Sequence, residues 1–394
     1  MICSALAGTA SAWMTDFSLS DDQQLLARSV RAFADAEIRP HLRAWDDAQH
    51  FPQELLPKLA DLGLMGIQIS ESHGGAGMSA VDYCVALEEL ARVDPSVALS
   101  VAAHNGLGTA HIAMFASEAQ KTEFLTPLAT GAKLSAWGLT EAGSGSDAAS
   151  MRTTAVRDGQ SWALNGAKSF ITHGASADVL VVMAVTDRAK GSKGISAFII
   201  ERGTPGLLRG KKEDKLGMRA SETAEVILQD CRVPADHLIG EEGQGFIQTL
   251  QVLDAGRIGI AALAVGLAQG AYEAARRYAF ERKQFGALIG TFSPIRAKLV
   301  THATRVHAAR LLTYRAAWLK DQGRRMTLES SMAKLYASEI AVRASEDAVQ
   351  ILGGYGFVKD YPAEKFFRDV KLTTIGEGTS EIQRLVIARQ LLAH

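Results

Sequence analysis

Twice along this chain the spacing of apolar residues changes period, and no other feature limits the fold as tightly. From Ser20 to Leu128 the spacing is helical, with Leu26, Val30 and Phe33 on one face. At Leu134 short β-rich runs take over: Ser135 to Thr140, Thr153 to Val156, Trp162 to Leu164, Val179 to Val185, Ile195 to Ile200 and Ala224 to Leu228. After Pro234 helical spacing returns, from about Glu242 to Lys283, Pro294 to Gln322, Leu328 to Leu352 and beyond Thr379. Closely spaced strands without intervening helices favour an antiparallel barrel or sandwich over a doubly wound sheet. The later helices have the lengths of a four-helix bundle. The expectation is an α+β chain: a flexible arm over 1–13, an all-α domain over 14–132, an antiparallel β-barrel or sandwich over 133–240 and the bundle over 241–394.

Local signals place the breaks. Ser20-Asp21-Asp22-Gln23 reads as a capping box, Arg39-Pro40 as the end of the first helix, Pro52 as the next start and Gly63 as its stop. Ser79, Pro95 and Ser117 mark further starts, and Asn165-Gly166 is expected to be a hairpin turn. Arg282-Lys283-Gln284-Phe285-Gly286 is expected to close the long helix with favourable cations. The His73-Gly74-Gly75-Ala76-Gly77 loop has no strand before it and reads as a connection.

A net charge of -1 leaves no basic footprint for nucleic acid. The unbroken apolar run Val179 to Val185 falls far short of the roughly 18 residues of a membrane helix, so no membrane insertion is expected. Cys3, Cys84 and Cys231 form no CxxC pair, which suits a reducing compartment. Met1 to Trp13 lacks a basic n-region and the first arginine is Arg28, so the cytoplasm is the expected location and the arm a dispensable one. There is no HExxH, and His302 and His307 fall on different sides of a helix, so no metal site is expected.

Chemistry concentrates between Gln350 and Gln383. A helix pattern meets Gly353 and Gly354, and further on Glu377 stands between Gly376 and Gly378, just before Thr379 and Ser380 open the last helix. That places an acid at the edge of a cavity. Upstream, Gly143-Ser144-Gly145-Ser146-Asp147-Ala148 has the form GxGxxA but lacks the βαβ setting of a dinucleotide fingerprint. It reads either as a plain hairpin loop or as a loop whose backbone and hydroxyls, with Thr140 and Ser146 as donors, approach a cofactor. Asp254 and Arg257 share a helical face at i, i+3, as a surface ion pair or as ligand contacts.

These segments resemble the acyl-CoA dehydrogenase family, most of all its short-chain and branched-chain members. Ile375-Gly376-Glu377-Gly378-Thr379 is similar to the segment carrying the family's catalytic glutamate, and Gly138 to Asp147 to a second signature; the similarity runs from about Leu19 to Leu392. The resemblance implies FAD, an acyl-CoA thioester substrate, electron-transfer flavoprotein as acceptor and a homo-oligomer, tetrameric in the family's usual form. Glu377 would be the base. Trp137, Leu139, Thr140 and Ser146 would contact the flavin and its pyrophosphate, Phe170 would shield the ring and Thr172 would donate near N5. Arg282, Gln284, Phe285, Gln350 and Gly354 would reach the cofactor of a neighbouring subunit, and Thr379 and Glu381 complete the cofactor set. Ser146, Asp254, Arg257 and Gly378 would serve the CoA thioester.

The implied reaction is α,β-dehydrogenation to the trans-2-enoyl-CoA, in fatty-acid or branched-chain amino-acid degradation. Some members carry the base on the long bundle helix, where this chain has Gly256 beside Ala255. Gly376, Ala142 and Ser293-Pro294 depart from the common pattern; a glycine beside the base reshapes the acyl cavity and leaves chain length open. Two other readings stand beside this one: an oxidase or monooxygenase on the same fold, and a non-enzymatic helical scaffold.

Overall fold

The computed structural model describes residues 18–392, so the expected arm over 1–13 lies outside the described residues. The N-terminal helices are α1 (Asp21–Phe33), α2 (Leu42–Ala48), α3 (Leu56–Asp61), α4 (Ala80–Val93), α5 (Pro95–Ala103), α6 (Ala110–Phe115), α7 (Glu118–Gln120) and α8 (Thr126–Ala129). Ser20, Ser79 and Ser117 each close a capping box with the residue three on, Gln23, Asp82 and Gln120. Gly63, at φ 74, stops the α3 segment as expected. Arg39-Pro40 does not end the first helix. The chain runs on through a π-turn, Ala34–Ile38, and a 3-10 turn, Arg39–His41, into α2. Pro40 sits in the first turn, where its missing N–H is not needed.

The middle of the chain is one seven-stranded sheet: β1 (Ser135–Gly138), β2 (Thr154–Asp158), β3 (Ser161–Thr172), β4 (Val179–Val185), β5 (Ile195–Glu201), β6 (Leu207–Lys212) and β7 (Thr223–Pro234). The order is β1-β4-β2-β3-β7-β6, with β5 against β4. Most pairs are antiparallel, as expected, but β4 runs parallel to β1 and, at Thr154–Val185, to β2. β4 explains its own unbroken apolar run, because Val179, Val181 and Met183 pack on one side and Leu180, Val182 and Ala184 on the other.

Asn165-Gly166 is not a turn. The β2–β3 hairpin turns two residues after Asp158, at Gly159 (φ 61) and Gln160, and β3 continues straight past residue 165. Asn165 and Gly166 form a bulge instead, where a Cβ on Gly166 would come within 2.5 Å of Thr153 Oγ1. The edge strand β6 escaped the sequence reading because its polar Leu-Leu-Arg-Gly-Lys-Lys has little alternation.

The C-terminal helices are α9 (Gly245–Ala279), α10 (Ser293–Asp321), α11 (Thr327–Leu352), the short α12 (Ala363–Asp369) and α13 (Ser380–Leu392). By length and composition α9 could cross a membrane, although its longest apolar run is short; 78% of that window is buried inside the molecule, as befits a core helix. Arg282 to Gly286 lies past the end of α9. There β8 (Lys283–Gln284) and β9 (Ala287–Leu288) form a small hairpin whose turn residues, Phe285 and Gly286, have φ 51 and 78. One continuous core joins α4 and α5 to α9, α10 and α11, so the N-terminal helices and the bundle pack as a unit.

Candidate active site

Glu377 lies on the tight turn between a 3-10 segment, Val370–Thr374, and α13. Its backbone is left-handed, φ 53, and Gly378 follows at φ 93, an arrangement that persists only where surrounding contacts fix it. Two carbonyls supply them. Gly378 C=O accepts from Lys334 Nζ at 2.6 Å and from Gln383 Nε2 at 3.0 Å, while Glu377 C=O accepts from Gln383 Nε2 at 3.2 Å. Thr379 Oγ1 accepts from the Ile382 N–H and begins α13. The Glu377 N–H has no acceptor among the described residues.

The carboxylate points onto α9. Oε2 is buried without a hydrogen-bond partner, and a Cβ built on Gly256 would stand 2.2 Å from it. Burial pushes the Glu377 pKa up to about 7, against the pull of the Lys334 and Arg257 cations. A carboxyl poised near neutrality and free of partners is suited to receive a proton.

Arg257 is 5% exposed; its Nη1 donates to Asp254 Oδ1 at 2.6 Å and to Ser331 Oγ at 3.3 Å, and its Nε has no partner. Asp254 Oδ2 accepts from Thr327 Oγ1 at 2.6 Å. Arg257 is buried between α9 and α11 with Asp254 half-buried beside it, so this is not an exposed surface ion pair.

On the β domain the structure brings the loop after β1 against β3. The Ser169 N–H donates to Thr140 C=O at 2.8 Å, and the buried Lys168 Nζ reaches Leu139 C=O at 3.2 Å and Glu141 Oε1 at 2.8 Å. Phe170 stands beside this loop, 64% exposed and at φ 61, followed by the half-buried Thr172. Ser146 is exposed at the loop tip, and a Cβ at Gly143 or Gly145 would meet nothing within 4 Å. Trp137 and Leu139 are buried. Trp137 Nε1 donates to His111 Nδ1 at 3.1 Å, and His111 Nε2 meets Gln248 Oε1 at 3.1 Å. Burial pushes His111 down to about 4, so its ring is neutral with the proton on Nε2. The Trp137 indole N–H is therefore satisfied within the protein.

Arg282, Gln284, Phe285, Gln350 and Gly354 are exposed on the bundle, where Arg282 lies over the Tyr355 ring at 5.7 Å. Among the described residues no hydrogen bond, ion pair or ring contact joins this group to the Thr140–Phe170 surface. Glu381 is exposed on the first turn of α13. Sequence reasoning missed Lys334 and Gln383, which hold the Glu377 turn. For Lys334 the signal was present: a lysine inside the buried stripe Ser330, Ala333, Ala337, Ser338 and Ala341.

Three family profiles match in order: the acyl-CoA dehydrogenase N-terminal domain over residues 20–132, the middle domain over 136–231 and the C-terminal domain over 243–392. The short-chain specific acyl-CoA dehydrogenase of Clostridium acetobutylicum is 44% identical over 95% of this chain and 99% of its own. Among solved structures, butyryl-CoA dehydrogenase from Megasphaera elsdenii superposes with a TM-score of 0.94 at 42% identity, covering 96% of this chain and 100% of that one. A chain from a structure described as the electron transferring flavoprotein of Acidaminococcus fermentans superposes with a TM-score of 0.95 at 44% identity, with 96% and 100% covered.

Proposed function

The chain belongs to the acyl-CoA dehydrogenase family, and from that premise we propose that Glu377 is the base that takes the α-proton of a short-chain saturated acyl-CoA. The protein is an FAD-dependent acyl-CoA dehydrogenase of fatty-acid β-oxidation. The observation that carries the assignment of the base is the partnerless, buried Glu377 Oε2 above Gly256.

The residues present fit FAD. Phe170 holds an aromatic face outward at a strained backbone, and the open ground around Gly143 and Gly145 leaves room for a flat ring and its pyrophosphate. Thr140, Ser146 and Thr172 would hold it through their hydroxyls, and Trp137 and Leu139 through backbone and apolar surface. When bound, FAD accepts the hydride from Cβ. Glu377 takes the α-proton on Oε2, and its free N–H donates to the thioester carbonyl as negative charge develops there. Arg257, kept charged beside Asp254, together with Ser146 and Gly378 would orient the CoA thioester.

Short chains are favoured by the relatives, which are short-chain specific enzymes over nearly the whole chain. Butyryl-CoA is therefore expected to bleach the flavin fastest in an anaerobic panel from C4 to C16 with isobutyryl- and isovaleryl-CoA. A palmitoyl or branched substrate faster by tenfold would overturn the chain-length reading.

Gly256→Ala tests the base geometry separately. The new Cβ collides with the far end of a flexible side chain, so thermal stability should change little. Displacing the carboxylate should slow flavin reduction by about 100-fold. An unchanged rate would place the reacting carboxyl elsewhere.

The exposed Phe285 hairpin, with Arg282, Gln284, Gln350 and Gly354, suits a homo-oligomer, a tetramer, in which each copy completes its neighbour's FAD site. Electron-transfer flavoprotein is the proposed acceptor and the cytoplasm the proposed location.

A further inference from the structure

We propose that Lys334 is a positioning residue for the reaction: it pins the Glu377–Gly378 turn through the Gly378 carbonyl, and its buried charge holds the neighbouring carboxyl ready in its proton-accepting form. The proposal rests on Glu377 being the base. Lys334 is 0% exposed on α11, and among the described residues the one acceptor it reaches is Gly378 C=O, at 2.6 Å. An ammonium removed from water with a single neutral acceptor is costly, and structural packing alone would favour an apolar residue between Ala333 and Ala337.

What offsets the cost is its neighbour. Lys334 acts electrostatically on Glu377, and burial pushes its own pKa down to about 8, with Glu377 and Glu381 pulling the other way and Arg257 adding to the fall. The groups facing the Glu377 carboxyl come from four helices: Tyr83 of α4, Arg257 with its Asp254 partner on α9, Lys334 of α11 and, beyond Lys334, Glu381 of α13. Arg257 is already neutralised in part by Asp254, which leaves Lys334 as the cation without a carboxylate bonded to it. Lys334 and Gln383 together hold both turn carbonyls, and among the described residues the Glu377 N–H has no protein acceptor.

Lys334→Gln retains a donor for the carbonyl and removes the charge; Lys334→Met removes both; Lys334→Arg retains the charge. Each is prepared with FAD, and the rate of anaerobic flavin reduction by butyryl-CoA is followed against pH. In parallel the protonated-carboxyl infrared band that Glu377→Gln abolishes is titrated without substrate. Loss of an adjacent cation should move the midpoint of both titrations upward by about one pH unit or more in the Gln and Met variants. The rate at pH 7 should fall at least about fivefold and recover at high pH in Lys334→Gln, and Lys334→Arg should titrate like the parent. A midpoint unmoved in Lys334→Gln, or a loss equal at every pH, overturns the proposal. If Lys334→Met does not accumulate as a flavoprotein, the Gln and Arg variants decide. If Glu377→Gln still reduces its flavin, the assigned base fails, and the infrared titration still reports whether Lys334 governs that carboxyl.

Discussion

Glu377→Gln should retain FAD and lose flavin reduction by ~10³- to 10⁴-fold, the upper part of the range for removal of a positioned general base. The amide preserves the shape of the side chain over Gly256 and cannot take a proton from carbon. A second result follows from the same buried carboxyl. Glu377 is displaced from an ordinary value of 4.5 to about 7, so over that interval the unfolded chain releases its proton before the folded one does. Stability contributed by the protonated form is therefore present below pH 4.5 and lost as pH rises to 7, amounting to ~3 kcal/mol at most. Glutamine does not titrate. The melting temperature of the variant should match the parent near pH 5 and exceed it near pH 8, as a base held at a strained, desolvated position requires. A variant that reduces its flavin at the parent rate removes the assignment; equal melting curves at pH 8 would mean that the carboxyl is hydrated rather than buried.

How much of this was visible in the residues depended on how far apart the interacting groups lie in sequence. Ser20, Ser79 and Ser117 cap helices through bonds three residues long, and all three starts were legible. Glu377 was legible because its setting is local, two glycines and a helix start. Asn165-Gly166 misled because the same dipeptide that favours a hairpin turn also suits a bulge, and only the partner strand decides which. The parallel β1–β4 pair, joined across some 40 residues, has no local signature. Nor do the contacts that steady the site: Lys334 meets Gly378 from another helix, and the Arg257 ion pair looks the same in sequence whether buried or exposed. Periodicity fixed which surfaces are apolar, whereas the choice among polar partners was made by tertiary packing.

Lys365→Met should be the most destabilising single change away from the site, at about 3–5 kcal/mol. Lys365 Nζ lies 2.8 Å from Asp94 Oδ1 and 2.6 Å from Asp369 Oδ2, and both aspartates are 0% exposed. The three parts of the chain meet there. Asp94 caps α5 through the Ser96 N–H, Lys365 and Asp369 belong to α12, and Asp369 Oδ1 accepts from the Met218 N–H in the segment between β6 and β7. Burial works to lower the Lys365 pKa, but the two carboxylates outweigh it and hold the ammonium charged. Burial already raises Asp369, and Asp94 raises it further. Without the lysine two carboxylates would share a dry site with no cation, which is far worse than an apolar core of the same volume. Melting should fall by roughly 5 °C for a chain of this size. Because the stranded carboxylates would have folded pKa values above their unfolded ones, the deficit should grow as pH rises from about 4 and shrink on acidification. The triple variant with Asp94→Asn and Asp369→Asn should recover most of the loss at pH 7.5. A Lys365→Met deficit below about 1 kcal/mol, or one independent of pH, would show that water rather than the lysine satisfies this junction.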